Sequence, residues 1–323
     1  MIKKAFVLAA GLGTRLRPLT DQLPKPLIPV GHKPLITFAF DHLIADAGVE
    51  EFIVNTHHRA DAFSPAFPET TYRGKPIHFR HEPVLLDTGG GIKNIADLLG
   101  PQAETFLVYN GDILTDLPIG PAIDHHRAAG NEVTLVLRSQ DGPKHLAWDA
   151  ASGRVMDIRN RLGTGLPEAF AFSCVYLVEP AFLERIPAGQ VVSVIPIFQE
   201  MIRQGEGLGG IVVDDGVWRD LGSRKEYLQA HRDIHAGAMP GFPRYGAPDP
   251  GWLDWIDPGA MVASDARVLG ASVVGAGARV GAGATLEDTI LWPGAEIASG
   301  ASLKGCIVRS SQVASGTAKN QDF

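Results

Sequence analysis

The sequence has few of the features that mark secreted, membrane or nucleic-acid-binding proteins. Its two cysteines, Cys174 and Cys306, are far apart and have no metal-ligand spacing. Basic residues are not in excess: 29 Lys and Arg stand against 36 Asp and Glu, and the formal charge of −7 disfavours nucleic acid as the main partner. The apolar run 5–10 is too short for a signal-peptide core, and no stretch is long enough to span a membrane. We therefore expect a cytoplasmic protein with reduced, buried thiols.

The chain does contain enough apolar sequence for a sizeable core, with 45% hydrophobic residues. Over residues 1–235, strand-like and helix-like segments alternate. Strands are predicted at 5–10, 51–56, 77–81, 105–109, 133–138, 145–150, 170–178, 208–213 and 217–219, and helices at 34–47, 88–99, 194–203 and 223–235. This alternation predicts an α/β fold, with a Rossmann-like, mostly parallel sheet and helices on both faces. Ligands bind at the carboxyl ends of strands in such sheets, and Gly11 and Asp112 follow two of those ends.

The composition changes after residue 235. Residues 236–255 are rich in Pro and Gly and are predicted to form a linker. Residues 256–318 then repeat with a period of six. Single aliphatic residues recur at Ile256, Val262, Val268, Val274, Val280 and Leu286, the phase blurs near Trp292, and a shifted copy follows at Ile297 and Leu303. One aliphatic residue with small neighbours every six positions predicts a parallel β-helix, in which the aliphatic side chains stack into a thin core.

The strongest local signal is a glycine-rich loop after the first predicted strand. The segment Gly-Leu-Gly-Thr-Arg covers residues 11–15, and Pro-Lys-Pro follows at residues 24–26. The glycines let backbone N–H groups approach an anion closely, and Arg15 and Lys25 supply positive charge at restrained positions. The loop is not a dinucleotide fingerprint, because Leu16 stands where the third glycine is needed. It is not a P-loop either, because Gly-Lys-Ser/Thr occurs nowhere in the chain.

These motifs resemble those of the sugar-1-phosphate nucleotidylyltransferase family across about residues 3–235. The resemblance implies an enzyme that joins a sugar 1-phosphate to a nucleoside triphosphate, and it implies that the repeats form a left-handed β-helix. It also implies catalytic roles for Arg15, Lys25, Asp112 and Asp220. The nucleotide-binding residues that it implies are Leu8, Ala10, Gly11, Gly13, Thr14, Glu82, Thr88 and Gly90.

A magnesium site is the cofactor that the resemblance implies. Asn-Gly-Asp at 110–112 matches the family's first metal-binding carboxylate, and Trp-Arg-Asp-Leu-Gly at 218–222 matches the second. Mg²⁺ prefers oxygen ligands and usually takes one or two carboxylates together with phosphates and water. Two aspartates about a hundred positions apart must be brought together by folding, which the sequence alone cannot show. The paired histidines at 57–58 and 125–126 have no partner spacing for a metal.

One departure from the family concerns the sugar. Where the family usually has Glu-Lys after a strand, this chain has Asn160-Arg161, and His57 is a further candidate for a sugar contact. The turn 87–91 resembles that of N-acetylmuramate-1-phosphate uridylyltransferases, whereas the appended β-helix resembles mannose-1-phosphate guanylyltransferases. The base and the sugar therefore stay open.

The sequence disfavours two other functions. A non-catalytic homologue that binds nucleotide-sugar is disfavoured because Arg15, Lys25, Asp112 and Asp220 are all present. An acyltransferase site in the β-helix is disfavoured because the last histidine, His235, precedes the repeats. We expect the β-helix to have a structural role or to support a homo-oligomer.

Overall fold

The computed structural model describes residues 2–242 and 250–323, so residues 243–249 of the predicted linker lie outside the described residues. The helices are α1 (Leu19–Gln22), α2 (Leu35–His42), α3 (Phe63–Ala66), α4 (Asp87–Asn94), α5 (Ala96–Leu99), α6 (Gly120–Ala129), α7 (Val194–Gln204) and α8 (Arg224–His235). The first fourteen strands are β1 (Lys4–Leu8), β2 (Pro29–Val30), β3 (Lys33–Pro34), β4 (Glu51–Thr56), β5 (Thr71–Tyr72), β6 (Lys75–His81), β7 (Phe106–Asn110), β8 (Ile113–Thr115), β9 (Val133–Arg138), β10 (Leu146–Asp149), β11 (Arg154–Ile158), β12 (Ala171–Val178), β13 (Leu208–Val212) and β14 (Trp218–Asp220).

The remaining strands are short and follow the six-residue period. They are β15 (Met261–Val262), β16 (Arg267–Leu269), β17 (Val273–Val274), β18 (Arg279–Val280), β19 (Thr285–Glu287), β20 (Ile290–Leu291), β21 (Glu296–Ile297), β22 (Ser302–Lys304), β23 (Ile307–Val308), β24 (Val313–Ala314) and β25 (Thr317–Lys319). The described chain forms two compact units. Unit 1 comprises Met1–Leu12 and Phe38–Asp220, and unit 2 comprises Gly13–Thr37 and Leu221–Phe323. The predicted sequence domains, 1–235, 236–255 and 256–318, stay a prediction.

Unit 1 is built on a ten-stranded sheet with the order β10-β11-β13-β9-β12-β7-β1-β4-β6-β5. The strands β7, β1, β4 and β6 are parallel to one another, as the alternation of the sequence predicts. Later strands mix directions, because β12 runs antiparallel between β7 and β9. The carboxyl ends of β1, β4 and β7 consequently lie at one edge of the sheet. The segments that follow these three strands, at residues 9, 57 and 111, gather there.

The local sequence explains where the helices of unit 1 begin and end. Ser193 caps α7, since its hydroxyl accepts the N–H of Ile195, and Gly205 ends the helix with a φ of 66°. The apolar face of α7 contributes Phe198 and Met201 to a core that also holds Phe6 of β1 and Val108 of β7. Burial of that face, more than helix propensity, stabilises the helix. The sheet edge described above is thus supported from below by a continuous core.

Unit 2 contains a parallel β-helix with three strands in each coil, the architecture expected of a left-handed β-helix. Its three sheets have the orders β15-β18-β21-β24, β16-β19-β22-β25 and β17-β20-β23. Val280 and Leu286 pack in one core with the repeat aliphatics from Val262 to Leu303, so the predicted period of six is confirmed over that range. The prediction is wrong at Ile256, which is 42% exposed because it lies at the start of the stack. Met261 pairs with Arg279, eighteen positions later, whereas Arg279 pairs with Glu296, seventeen positions later.

The blurred phase of the repeat has a structural cause at one corner. Leu291, not Trp292, is the inward residue, and it pairs with Val274 in the preceding coil. Trp292 is fully buried outside that core, and its indole N–H donates to the hydroxyl of Tyr227 in α8. Ser223 caps α8 by accepting the N–H of Glu226. A coil shortened by one residue therefore turns a large aromatic side chain towards α8.

Candidate active site

Asn55 organises the turn that follows β1. Its side-chain oxygen accepts the backbone N–H groups of Ala9 at 2.7 Å and Ala10 at 3.2 Å. The carbonyl of Leu8 accepts the N–H of Gly111 at 2.8 Å, which ties this turn to the end of β7. Asn55 is only 2% exposed, so its hydrogen bonds form away from water and hold the turn firmly. The backbone of Leu8, Ala9 and Ala10 is therefore fixed before any ligand arrives.

The two signature glycines have different structural requirements. A Cβ at Gly11 would meet no atom within 4 Å, so packing does not require glycine there. A Cβ at Gly13 would lie 2.7 Å from Thr20 Cγ2, and Gly13 has a φ of 59°. The Thr20 hydroxyl also donates to the carbonyl of Gly13 at 2.9 Å. Gly13 is thus needed for the turn itself, whereas Gly11 leaves open backbone that an anion can approach.

The signature cations differ in burial. Thr14 and Arg15 are exposed in a short 3₁₀ turn, Thr14–Leu16. Lys25 is 8% exposed and begins a second 3₁₀ turn, Lys25–Leu27, between two prolines that restrict the backbone. A lysine in a partly desolvated position interacts more strongly with an anion than one in bulk water. Arg15 can present a planar fork of donors, and Lys25 a fixed point charge.

The two aspartates of the predicted metal site are brought to neighbouring positions. In the antiparallel ladder of β8 and β14, Asp220 lies opposite Ile113, and Asp112 directly precedes Ile113. Directly opposed residues in such a ladder have Cα atoms about 4.5–5.5 Å apart. Asp112 and Asp220 are both half-buried. Backbone pairing therefore brings Asp220 to within one residue of Asp112, about a hundred positions away in the chain, within unit 1.

The strand that carries Asp220 is held by Arg138, which is 1% exposed. One guanidinium nitrogen donates to the carbonyls of Val213 and Asp215 at 3.0 and 2.8 Å, and the other donates to the carbonyl of Gly216 at 3.1 Å. The second nitrogen also pairs with Asp141 at 2.6 Å. One planar group therefore holds three carbonyls of the loop before β14.

Asp116 holds the same loop at the start of β14. Its carboxylate accepts the N–H of Val217 at 2.6 Å, and its own N–H donates to the carbonyl of Val217 at 3.2 Å. A Cβ at Gly216 would lie 2.8 Å from that carboxylate, and the φ of Gly216 is 73°, so glycine is required there. Arg138 and Asp116 together determine where β14 starts and hence where Asp220 lies.

Glu82 is 1% exposed and already fully engaged with protein groups. Its carboxylate accepts the side-chain N–H of Asn55 at 2.8 Å and the backbone N–H of Leu86 at 3.0 Å. His57 donates from Nδ1 to the carbonyl of Glu82 at 2.7 Å. The base-reading role predicted for Glu82 stays a prediction, and what the structure adds is a second role: this carboxylate joins the end of β4 to the loop that precedes α4.

The second glycine-rich turn packs tightly against the segment before α7. A Cβ at Gly89 would lie 2.9 Å from the carbonyl of Val192, and one at Gly90 would lie 2.5 Å from the carbonyl of Gln190. The hydroxyl of Thr88 accepts the N–H of Val194 at 3.0 Å. The glycines are therefore explained by close backbone packing, and the nucleotide contacts predicted for Thr88 and Gly90 stay predictions.

The loop with the family departure is shaped by a buried carboxylate. Asp157 accepts the N–H groups of Leu162 at 3.1 Å and Thr164 at 3.3 Å. Burial acts to raise the pKa of Asp157, but these hydrogen bonds outweigh it and lower the pKa below its usual value. Asn160 has a φ of 45° and is exposed, as is Arg161. Both side chains are thus exposed to solvent, on a loop in which the backbone of Asn160 has the left-handed conformation that is uncommon for residues other than glycine.

Comparison with known proteins decides the family. The sequence model of the nucleotidyl transferase family matches residues 4–147. Mannose-1-phosphate guanylyltransferase of Mycobacterium tuberculosis is 31% identical over 299 residues, which cover 92% of this chain and 81% of that protein. The chain belongs to the nucleotidyl transferase family. The resemblance stated from the signature motifs is confirmed, and so is the expectation that the protein is an enzyme.

Two further known proteins are similar to this transferase. N-acetylmuramate alpha-1-phosphate uridylyltransferase of Neisseria meningitidis serogroup B is 33% identical over 221 residues, covering 68% of this chain and 93% of that protein. The solved structure of HddC from Yersinia pseudotuberculosis matches with a TM-score of 0.58 at 22% identity, over 71% of this chain and 98% of that one. At that identity the structural likeness supports the fold alone.

The donor set of the transferase fits Mg²⁺. Within residues 2–242 and 250–323, no group of three or more His, Cys, Asp or Glu side chains forms a metal cage. Asp112 and Asp220, whose backbones are neighbours, are the kind of oxygen donors that Mg²⁺ takes when phosphates and waters complete its coordination. Cys174 and Cys306 are both free thiols, and the expectation that both are buried is wrong for Cys174, which is half-buried. Among the described residues, no helix is both long and apolar enough to cross a membrane.

Sequence reasoning missed the groups that hold the site of this transferase in place. Asn55 and Arg138 were not predicted, although each is buried and binds backbone groups beside predicted site residues. Neither residue lies in a recognisable motif, because its role depends on carbonyls and N–H groups brought near by folding. A buried polar residue at the end of a predicted strand, as Asn55 is at β4, was the one usable signal.

Proposed function

We propose that this transferase joins a sugar 1-phosphate to a nucleoside triphosphate, forming a nucleotide-sugar and releasing pyrophosphate. The observation that carries the proposal is the ladder of β8 and β14, in which Asp112 and Asp220 become neighbours. Two aspartates on neighbouring backbone positions suit a cation that arrives with a triphosphate, because phosphates and waters can complete its coordination. The membership of the chain in the nucleotidyl transferase family supports the same reaction.

The reaction needs positioning and charge neutralisation more than a general base. An oxygen of the sugar phosphate is already anionic at neutral pH, and it attacks the α-phosphorus in line with the departing pyrophosphate. The new oxygen–phosphorus bond forms as the bond to pyrophosphate breaks, and the enzyme forms no covalent intermediate. We assign Arg15 and Lys25 to the triphosphate, where they stabilise the charge that develops on the leaving group. Asp112 and Asp220 would hold Mg²⁺, which when bound neutralises phosphate charge.

We assign the remaining contacts from the position of each residue in the signature motifs. Leu8, Ala10, Gly11, Gly13, Thr14, Glu82, Thr88 and Gly90 are proposed to bind the nucleotide, and His57, Asn160 and Arg161 the sugar 1-phosphate. The open space around the missing Cβ of Gly11 supports a close approach of phosphate at that point. The exposure of Asn160 and Arg161 supports a contact with an anionic substrate.

For the substrates, we propose mannose 1-phosphate and GTP as the first pair. The relative named for that reaction aligns with 92% of the chain, a share that includes β-helix residues. N-acetylmuramate 1-phosphate and UTP form the second candidate pair. The relative named for that reaction is 33% identical over 68% of the chain. The departure at Asn160-Arg161 favours a sugar other than those bound by Glu-Lys.

A pyrophosphate-release assay decides among these readings. The full chain is incubated with Mg²⁺ and each combination of four nucleoside triphosphates with mannose 1-phosphate, glucose 1-phosphate and N-acetylmuramate 1-phosphate. We expect one combination to exceed the others by at least about tenfold in kcat/KM, which corresponds to about 1.4 kcal/mol of discrimination. Binding of a nucleotide-sugar without pyrophosphate release from any pair would overturn the proposal and favour a non-catalytic role. Melting temperatures measured with each triphosphate and Mg²⁺ identify which triphosphate stabilises the fold.

We also propose a cytoplasmic location, supported by the two free thiols. Homo-oligomer formation through the β-helix is a further proposal, which light scattering on the full chain tests. A monomer at all concentrations would contradict it.

A further inference from the structure

The segment that carries Arg15 and Lys25 lies in the same compact unit as the β-helix. Residues Gly13–Thr37 group with Leu221–Phe323 in unit 2. This segment has little regular structure of its own: its elements are the one-turn helix α1, two 3₁₀ turns and the two-residue strands β2 and β3. A segment of this kind cannot fix its own conformation by backbone ladders, so it depends on contacts from neighbouring elements.

The first such contact comes from the last coils of the β-helix. The side chain of Gln22 donates from Nε2 to the carbonyl of Ser310 at 3.0 Å. Arg309 reaches the carbonyl of Pro18 at 3.4 Å, and its Nε donates to the carbonyl of Phe323 at 2.9 Å. The contacts of Ser310 and Arg309 therefore reach Gln22 in α1 and Pro18, the residue before α1. The end of the β-helix thus touches the chain between Arg15 and Lys25.

The second contact is a buried hydrogen-bond relay through α8. Trp292 of the β-helix donates from its indole N–H to the hydroxyl of Tyr227 at 3.2 Å, and that hydroxyl donates to the carbonyl of Pro29 at 2.6 Å. Trp292 and Tyr227 are 0% and 1% exposed. Deleting the tyrosine hydroxyl alone would remove this bond from the buried indole N–H of Trp292 and from the part-buried carbonyl of Pro29, which is costly.

His231, one turn further along α8, holds Gly31, which lies two residues after Pro29. Its Nδ1 donates to the carbonyl of Tyr227 at 2.9 Å, and its Nε2 accepts the N–H of Gly31 at 3.2 Å. Glycine is required there, because a Cβ at Gly31 would lie 2.5 Å from the carbonyl of Trp252. Burial lowers the pKa of His231 to about 4, which keeps the ring neutral and able to accept that bond.

The helix α8 is in turn fixed to the β-helix by two arginines. Arg224 pairs with Asp322 at 2.6 Å and donates to the carbonyl of Gly305 at 2.6 Å. Arg232 pairs with Asp288 at 3.1 Å. Because α8 is anchored at both ends, the groups on it that hold Pro29 and Gly31 keep a fixed position relative to the coils.

We propose that the β-helix is a positioning module for the phosphate-binding segment, acting through Tyr227, His231, Arg309 and Gln22. These residues hold the chain at Pro18 and Gln22 on one side of Lys25 and at Pro29 and Gly31 on the other. The ordering cost of an irregular loop is thereby met on folding and not on substrate binding, which favours tighter triphosphate binding. This inference rests on the proposed function, in which Arg15 and Lys25 bind the triphosphate.

The decisive variant is Tyr227→Phe, which removes one oxygen atom and leaves the aromatic packing in place. The matched control is Tyr72→Phe in unit 1, which removes a hydroxyl that donates to Asp41 at 3.0 Å. A second, gentler variant is Gln22→Met, which removes only the contact to Ser310. Each full-length protein is checked for folding by circular dichroism and then compared by hydrogen exchange and by steady-state kinetics.

We expect Tyr227→Phe to speed amide exchange in residues 14–30 by about tenfold or more, and to raise the KM for the triphosphate several-fold. The KM for the sugar phosphate at saturating triphosphate should change less than twofold, as should both KM values in Tyr72→Phe. Gln22→Met should show the same pattern with a smaller change. A purely stabilising role would lower the melting temperature of the variants and leave the KM for the triphosphate unchanged, and that result would overturn the proposal.

The exchange measurement separates this inference from the proposed function. If the wild-type protein releases no pyrophosphate, the proposed function fails, while faster exchange in residues 14–30 of the folded variants would still support the tether. Unchanged exchange in both Tyr227→Phe and Gln22→Met would show that the module does not order the segment, whatever the activity of the wild-type protein.

Discussion

The two halves of the proposed catalytic apparatus are held in place by different means. In unit 1, the aspartate pair is fixed by a backbone ladder, since β8 and β14 set Asp220 beside Asp112. In unit 2, the segment with Arg15 and Lys25 is irregular and is held by side chains such as Tyr227 that bind its carbonyls. A ladder of main-chain bonds does not depend on side-chain identity, whereas side-chain tethers do. In unit 2, a substitution that removes one of the several side-chain contacts should therefore loosen the segment only in part. In unit 1, only substitutions of residues that hold β14, such as Arg138, should displace the aspartate pair.

The largest effect is expected from removing a carboxylate of the pair. Asp112→Asn and Asp220→Asn should each lower kcat by about 10³-fold or more, because the metal loses a charged ligand while the ladder stays intact. Pyrophosphate release as a function of Mg²⁺ concentration measures this. Asp124→Asn, at an exposed position on α6, serves as the control and should retain wild-type rates. A loss of less than tenfold in both variants would contradict the metal assignment.

The second largest loss of activity is expected from removing the cationic side chains of unit 2. Arg15→Ala and Lys25→Met should each lower kcat/KM for the triphosphate by about 10²-fold, since removing one group that stabilises transition-state charge costs about 3 kcal/mol. Arg15→Lys should recover only part of this, because an ammonium lacks the planar fork of the guanidinium. Equal losses for Arg15→Lys and Arg15→Ala would indicate that the fork matters; full recovery would show that charge alone suffices.

The clamp on β14 gives an intermediate effect that sharpens the comparison. Arg138→Lys keeps a positive charge but cannot bind three carbonyls and Asp141 together. We expect a loss of about 2–4 kcal/mol in the free energy of unfolding, as for other broken buried ionic networks. The concentration of Mg²⁺ needed for half-maximal rate should also rise, because Asp220 is less well placed. Urea denaturation and Mg²⁺ titration measure the two effects, and an unchanged Mg²⁺ requirement would limit Arg138 to a stabilising role.

The smallest effect at neutral pH is expected from the ionisation of His231 in unit 2, which changes stability only in acid. The pKa of His231 is lowered by burial from 6.5 to about 4. Between these values the unfolded chain binds a proton that the folded chain does not, so stability should fall as the pH drops from 6.5 towards 4, by up to about 3 kcal/mol. Above pH 6.5 the residue is neutral in both states and contributes no slope.

A variant with a non-titrating side chain at position 231 tests the predicted direction of the change in stability with pH. His231→Gln keeps a polar group near the N–H of Gly31 and removes the ionisation. Denaturation midpoints measured between pH 4 and 8 should show a shallower acid slope for the variant than for the wild type. Parallel curves would show that acid sensitivity arises elsewhere in the chain.

Much of the fold could be read from local patterns. The strand 51–56 and the strand 133–138 were predicted with the bounds that the structure has, because each is a β-branched or apolar run between turn residues. The first predicted helix, 34–47, ends at its predicted last residue, and Gly48 follows it with a φ of 70°. The mixed directions of the later strands could not be predicted, because insertion of β12 between β7 and β9 is a choice among long-range pairings of similar local appearance.

The sequence by itself determined the chemistry: a glycine for close approach at 11, a glycine for the turn at 13, cations at 15 and 25, carboxylates at 112 and 220, and a repeat of six with one inward aliphatic residue. These depend on residue type and short spacing, which a single chain displays. Only the tertiary structure decided that Asp220 pairs beside Asp112, that Arg138 and Asn55 hold the neighbouring backbone, and that the β-helix binds the signature segment through Tyr227. The physical reason is that these contacts join backbone groups, which every residue carries, across separations that no local pattern encodes.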